Sequence, residues 1–136
     1  MKTIFSLIVL FVSIIYFAQV SDFGKNAKVG KVLHLKDADL YYEVYGKGEP
    51  LFLLHGNGGS IDAFTKEIPE LSKHFKIIAM DTRAQGKSTD TSTEPLTYIK
   101  FADDVKALED ELNLRLNIQK IRTKSSQVAR MFSQMA

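Results

Sequence analysis

The residues with the clearest chemical potential in this sequence form a glycine-rich loop, His55-Gly56-Asn57-Gly58-Gly59-Ser60. The loop follows an apolar run at 51 to 54 and precedes apolar residues at helical spacing. A glycine-rich turn between a buried strand and a helix presents backbone N–H groups at the positive end of the helix dipole. Such a loop can bind either a phosphate or a developing oxyanion, and the surrounding sequence must distinguish these uses.

The phosphate alternative is a small dinucleotide- or phosphate-binding βαβ module that uses residues 56 to 60. This segment matches the first two glycines of G-x-G-x-x-G, and Asp81 lies where a ribose-binding acid is expected. Ile61 stands in place of the third glycine, however, and isolated motifs of this kind are weak. A P-loop ending at 86 to 88 fails because its leading glycine would have to be Asp81.

The elements that would position this loop alternate between strand and helix. Apolar runs bounded by turn residues predict strands buried on both faces, and apolar spacings of three and four predict helices. The predicted elements, in chain order, are a hairpin (32 to 36 and 40 to 45), a strand (51 to 54), a helix containing Pro69 (61 to 73), a strand (75 to 80), a polar loop (81 to 95) and a helix (98 to 112). This order predicts an α/β fold with parallel strands and right-handed crossover helices.

Two motifs, in this order, resemble those of the α/β-hydrolase superfamily. Residues 51 to 60 resemble its strand followed by an HG loop. Asp81-Thr82-Arg83-Ala84-Gln85-Gly86-Lys87-Ser88 is similar to its D-x-R-G-x-G-x-S segment, with Ala84 in place of glycine. The resemblance covers about residues 32 to 114, including the hairpin and the second helix. It implies the N-terminal half of an α/β-hydrolase fold with an incomplete sheet, similar to exported bacterial members.

The resemblance also implies roles for the loop residues. The backbone N–H of Asn57 would be one of two oxyanion-hole donors, a contribution of about 3 kcal/mol to transition-state stabilisation. His55, Gly56 and Gly58 would shape the oxyanion loop, with His55 as a hydrogen-bonded loop histidine rather than the catalytic base. The family acts on small ester-like molecules, and the resemblance implies neither a cofactor nor a metal. The resemblance also implies that Asp81, Arg83 and Ser88 stabilise the loop that contains them.

The nucleophile and the base of that family have no counterpart in the sequence. The nucleophile is expected on a G-x-S-x-G elbow after the next strand, with the acid and base later still. No glycine follows Gly86 and no histidine follows His74, so Ser125, Ser126 and Ser133 lack both the sharp turn and the base. We therefore expect no catalytic residue in this chain and no activity from it alone. The alternative is a complete enzyme whose other half comes from another chain.

The composition changes where the elbow is expected. Residues 113 to 136 carry five basic residues and no acidic one, whereas 19 to 112 carry 12 basic and 16 acidic residues. A shift of reading frame near residue 115 would explain both changes. The alternative is a basic amphipathic tail that binds a membrane surface. Without the nucleophile strand, the apolar strand ending at Leu54 is expected to be an open sheet edge that promotes aggregation.

The N-terminus predicts export. After the basic Lys2, residues 4 to 18 form a run of fifteen residues without a charge, which is typical of a signal peptide over 1 to 18. The run is shorter than the roughly 20 residues that span a bilayer. A periplasmic or secreted protein without a stable span is therefore expected, or a membrane-anchored one if the signal is uncleaved.

The remaining chain divides into a linker (19 to 31), a partial hydrolase domain (32 to 114) and an atypical basic tail (115 to 136). A net charge of +2 is too small to indicate nucleic-acid binding. The absence of cysteine excludes disulfides and thiol nucleophiles.

Overall fold

A mixed five-stranded sheet organises the chain. The computed structural model describes residues 22 to 114 and the backbone of residues 121 to 123. In chain order the elements are β1 (Gly30–His34), β2 (Asp39–Tyr45), β3 (Glu49–Leu54), a 3₁₀ turn (Ile61–Phe64), α1 (Glu67–Leu71), β4 (Phe75–Met80), α2 (Tyr98–Glu111) and β5 (Ile121–Thr123). The strand order is β1-β2-β4-β3-β5, with antiparallel pairing up to β4 and parallel pairing beyond it. The predicted class, an opening hairpin followed by parallel strands, is confirmed.

Strand β3 is buried on both faces because its apolar side chains alternate between two cores. Phe52 and Leu54 pack in the core that includes α2, whereas Leu51 and Leu53 pack with the 3₁₀ turn and α1. This confirms the strand predicted from the uninterrupted apolar run. Leu54 pairs with Met80 in the parallel ladder between β3 and β4. The loops that follow these two strands therefore leave the sheet side by side.

The prediction of one continuous helix over 61 to 73 is wrong. The structure divides this segment into the 3₁₀ turn and the short helix α1. Pro69 explains the division, because its ring would clash with the carbonyl of Thr65 and it has no N–H to donate. Within α1, Pro69 occupies the third position, where a helix needs no N–H donor. The predicted apolar face is nonetheless buried, through Ile61, Phe64 and Ile68.

The second helix forms as predicted, over Tyr98–Glu111. Its first turn is capped by Thr97, whose hydroxyl accepts from the Lys100 N–H at 3.2 Å. Asn113, two residues after the end of the helix, is left-handed with φ of 50°, and the N–H of Leu114 donates back to the Glu109 carbonyl at 3.0 Å. Asparagine tolerates this conformation at helix ends. The buried face of α2 contributes Ala102, Val105 and Leu108 to the core.

A buried carboxylate on β2 collects donors from its surroundings. Glu43 has no exposed surface and accepts from the Tyr41 and Tyr45 hydroxyls, both at 2.7 Å. It also accepts from the backbone N–H groups of Gly24 at 2.8 Å and Asn26 at 2.9 Å. Burial, together with the Glu43 carboxylate, raises the pKa of both tyrosines. Four donors satisfy this carboxylate, and two of them come from the segment before β1.

Part of the segment predicted as a linker, 19 to 31, belongs to the folded core. Strand β1 begins at Gly30, two residues earlier than predicted. Phe23 packs edge-on against Tyr45, with ring centroids 5.1 Å apart. The hydrogen bonds to Glu43 and this aromatic contact hold residues 22 to 26 against the sheet, so the expected linker is wrong for this part.

The outer edge of β3 is covered where an open edge is predicted. Strand β5 pairs in parallel with β3, with Phe52 opposite Ile121 and Leu54 opposite Thr123. This overturns the expected open edge for these residues, while aggregation stays a prediction. The predicted signal peptide lies outside the described residues, as does the basic tail apart from the backbone of 121 to 123.

Candidate functional site

Two loops meet at the edge of the sheet where β3 and β4 end. The glycine-rich loop follows β3, and the Asp81-to-Ser88 loop follows β4. Parallel strands place the loops at their carboxyl ends together, which is where α/β proteins bind ligands. Hydrogen bonds cross between the loops from Thr82 N–H to His55 and from Gly58 N–H to Gln85, and the N–H of Ile61, just after the first loop, donates to Asp81.

His55 is a buried structural histidine. Its Nε2 accepts the Thr82 backbone N–H at 3.0 Å, which assigns the ring proton to Nδ1. Nδ1 then donates to the carbonyl of Gly56 at 2.8 Å. With both nitrogens engaged and only 3% of the residue exposed, the ring has no free atom for proton transfer. The geometry supports the predicted loop role over catalytic-base work.

The glycine-rich loop forms a tight turn that leaves the Asn57 N–H unused. The Gly59 N–H donates to the Gly56 carbonyl at 3.0 Å, and Gly58 has φ of +75°, as a type II turn requires at its third position. The Gly56 carbonyl is therefore held by both Gly59 and His55. Because carbonyl and N–H point in opposite directions in a trans peptide, the Asn57 N–H is held on the other side. Within residues 22 to 114 it donates to no protein acceptor.

A cavity of about 620 Å³ adjoins this turn. One part of its wall is polar and includes His55, Asn57, Thr82, Gln85 and Thr97. The other part is apolar and consists of Leu54, Leu96, Tyr98, Phe101 and Val105. An apolar wall with a few convergent polar groups is typical of sites for small organic molecules. No lining residue in the described part of the chain has an ionised side chain.

Asp81 holds the two loops together rather than facing a ligand. Its buried carboxylate accepts the N–H groups of Ile61 and Lys87, both at 2.8 Å. Burial raises the pKa of this carboxyl group. A Cβ on Gly86 would lie 2.2 Å from Asp81 Oδ2, so only glycine fits there. The Ser88 hydroxyl donates to the Asp81 carbonyl at 2.7 Å. Because Asp81 is already occupied, the dinucleotide alternative gains no support from this geometry.

Arg83 connects the second loop to helix α2 and to the hairpin. The guanidinium is 3% exposed and binds both carboxylate oxygens of Asp104, at 2.9 and 2.6 Å. It also contacts Asp37 at 2.9 Å and Asp90 at 3.2 Å. The hydrogen bonds that Arg83 donates to Asp104 raise the pKa of Arg83, which therefore stays charged. This arrangement supports the loop-stabilising role predicted for Arg83.

Ala84, which replaces the family's glycine, adopts a left-handed backbone with φ of 60°. This conformation costs a residue with a Cβ about 1 to 2 kcal/mol. We expect Ala84→Gly to raise the free energy of unfolding by about 1 kcal/mol, measured by urea denaturation. Ala107→Gly, the same change inside α2, should lower it by about 1 kcal/mol. A loss of stability in Ala84→Gly would contradict the observed backbone.

Sequence reasoning missed Gln85 and Thr82. Both residues line the cavity, and each forms a hydrogen bond to the glycine-rich loop. Gln85 stands at a variable position of the motif, and its partner Gly58 lies 27 residues earlier. Thr82 acts through its backbone N–H, which no residue type reveals. Among the described residues, no group of three histidines or carboxylates is arranged to bind a metal, and none of their helices is long and apolar enough to cross a bilayer.

The sequence profile of the α/β hydrolase fold matches residues 49 to 118. The 2-hydroxy-6-oxo-6-(2'-aminophenyl)hexa-2,4-dienoic acid hydrolase of Metapseudomonas resinovorans is 30% identical over 56% of this chain and 27% of its own length. The (E)-2-((N-methylformamido)methylene)succinate hydrolase of Acinetobacter baylyi is 37% identical over 45% of this chain and 24% of its own. This chain thus spans about a quarter of the length of these relatives.

Solved structures share the fold. A hydrolase from Pseudomonas aeruginosa superposes with a TM-score of 0.60 and 26% identity, over 72% of this chain and 36% of that one. The profile match includes β3, β4, the loops that follow them and α2, and β3 pairs in parallel with β4. On these grounds the chain belongs to the α/β-hydrolase fold family.

Proposed function

We propose that this chain forms the oxyanion-binding part of a hydrolase active site that acts on small ester-like molecules. The observation that carries the proposal is the Asn57 N–H, which has no acceptor among the described residues and belongs to a residue that lines the cavity. Its orientation is held through the Gly56 carbonyl, which accepts from His55 and Gly59. A donor held in advance stabilises negative charge as it develops on a carbonyl oxygen.

The attacking group belongs to a part of the active site beyond the loops described above. In this family, it follows the strand that pairs beside β3, and the base comes later in the chain. This chain spans about a quarter of its curated relatives, whose names describe hydrolases. We therefore assign it the binding of the oxyanion and of the substrate's apolar part, without the nucleophilic step.

Export of the protein is part of the same proposal. The largely apolar run from residue 4 to Ala18, preceded by Lys2, has the length and the basic start of a signal peptide. Cleavage after Ala18 would keep Gly24 and Asn26, whose N–H groups bind Glu43, in the mature chain.

A fusion enzyme tests the function directly. Residues 22 to 114 replace the corresponding N-terminal segment of the (E)-2-((N-methylformamido)methylene)succinate hydrolase of Acinetobacter baylyi, which supplies the remaining sheet and catalytic groups. We expect turnover of the compound in that enzyme's name, or of an activated ester, well above the buffer rate. The remainder of the Acinetobacter baylyi enzyme, expressed without any N-terminal segment, serves as the control and is expected to be inactive. A folded fusion that turns over neither compound would contradict the proposed function.

A further inference from the structure

The side chain of Gln85 reaches across the cavity edge and binds the turn that presents Asn57. Its Oε1 accepts the N–H of Gly58, which is the third residue of the turn. Gln85 and Asn57 both line the cavity. Gln85 itself follows Ala84, whose left-handed backbone is part of the same loop. The contact thus joins the loop after β4 to the donor-bearing turn after β3.

The bond from Gly58 selects one of two orientations of the central peptide of this turn. A type II turn and a type I turn share the outer hydrogen bond, here Gly59 to Gly56, and differ by a flip of the peptide between the second and third residues. Glycine at position 58 permits both forms, since it adopts either sign of φ at little cost. An acceptor placed beside the Gly58 N–H favours the observed form, with φ of +75°.

The flipped turn would place the wrong atom at the cavity. The Asn57 carbonyl and the Gly58 N–H belong to the same peptide and point in opposite directions. A flip would therefore bring the Asn57 carbonyl oxygen to the side where Gln85 now accepts the Gly58 N–H, beside the cavity. A carbonyl oxygen there would repel a developing oxyanion and oppose the neighbouring donor.

We propose that Gln85 is a positioning residue that holds the oxyanion turn in its type II form through the Gly58 N–H. It touches no reacting atom; it acts by excluding the flipped peptide. This inference rests on the proposed function for its catalytic consequence, whereas the bond itself can be tested without any reaction. The side-chain oxygen at position 85 is the required feature, since a carboxylate of the same length can accept the same N–H.

Hydrogen exchange in the full chain tests the bond. With ¹⁵N-labelled protein, Gln85→Leu is expected to speed exchange of the Gly58 amide by about tenfold, because its acceptor is lost. Gln85→Glu is the matched control and should leave the rate within about threefold of the native value. Amides in β3 and β4 should exchange at unchanged rates in both variants. Equal Gly58 exchange in the native chain and in Gln85→Leu would overturn the proposal.

Kinetics in the fusion enzyme provides the second measurement. There, Gln85→Leu should lower kcat by about tenfold while KM stays within about twofold, since a flipped turn affects the transition state more than substrate binding. A merely structural role would lower the amount of folded enzyme without this split. Unchanged kcat in a folded, active Gln85→Leu fusion would contradict the positioning role. An inactive native fusion would instead contradict the proposed function and leave the exchange result to decide on Gln85.

Discussion

Replacing Arg83 by methionine is expected to lower the free energy of unfolding by about 3 to 5 kcal/mol, because it removes one partner of a buried ion pair. Asp104 is 1% exposed and would keep its carboxylate in the core without the guanidinium that binds both of its oxygens. The loss would also remove the 2.9 Å contact between the guanidinium and Asp37 in the hairpin, and would leave Asp37 its ion pair with Lys100 at 3.4 Å.

Urea denaturation of the full chain, followed by circular dichroism, measures this effect. Arg83→Lys should recover only part of the loss, since an ammonium cannot form the two-pronged bond to Asp104. The double variant Arg83→Met/Asp104→Leu should be more stable than Arg83→Met alone, because it also removes the Asp104 carboxylate that Arg83→Met leaves buried without its partner. A loss below about 1 kcal/mol in Arg83→Met would mean that this ion pair does not hold the loop to α2.

The elements that could be predicted from sequence are those whose signal is local. The apolar runs of β3 and β4 reveal strands buried on both faces, since no polar residue interrupts them. Helix α2 is visible from its apolar spacing and differs from the prediction by one residue at its end. The left-handed backbone of Asn113 terminates the helix. Asparagine is one of the residues that favour this conformation just after a helix end.

The elements that could not be predicted depend on partners distant in the chain. Residues 22 to 26 contain no strand or helix pattern and are ordered by Glu43, a charged residue in a strand that otherwise packs in the core. The covering of β3 by β5 has the same origin, since three residues of a basic segment carry no strand signal of their own. The break between the 3₁₀ turn and α1 was signalled by Pro69, although apolar spacing favoured a single helix.

The candidate site was predictable where motif and chemistry coincide. The place of His55 between a strand and a glycine turn indicated a loop role, and its two hydrogen bonds agree with that prediction. Asp81 and Arg83 likewise lie where the motif predicts polar loop residues, and both are engaged in buried contacts. The role of Gln85 could not be predicted, because it depends on a hydrogen bond with Gly58, which is 27 residues away in the chain and becomes a neighbour only in the fold.

Asn57→Pro is expected to lower kcat of the fusion enzyme by about 10²- to 10³-fold, the effect of losing one oxyanion-hole donor. Proline removes the backbone N–H at position 57 and leaves the rest of the turn intact. Position 57 is the second residue of the type II turn closed by Gly59 and Gly56, and proline is favoured there because its φ is already close to the required value. The substitution therefore deletes the proposed donor with little strain.

Asn57→Ala is the matched control, since it removes the side chain and keeps the N–H. Asn57 is exposed, and none of its side-chain atoms bonds to another described residue. We expect kcat of Asn57→Ala to stay within about threefold of the native fusion. KM should change little in either variant, because the lost interaction forms mainly in the transition state.

The comparison of kcat between Asn57→Pro and Asn57→Ala, in fusions with equal unfolding midpoints, therefore tests whether the chain supplies an oxyanion donor. A ratio of at least about 100 in favour of alanine is the predicted result. Equal rates for the two variants would mean that the Asn57 N–H does not bind the oxyanion, and the assignment of this loop would be wrong.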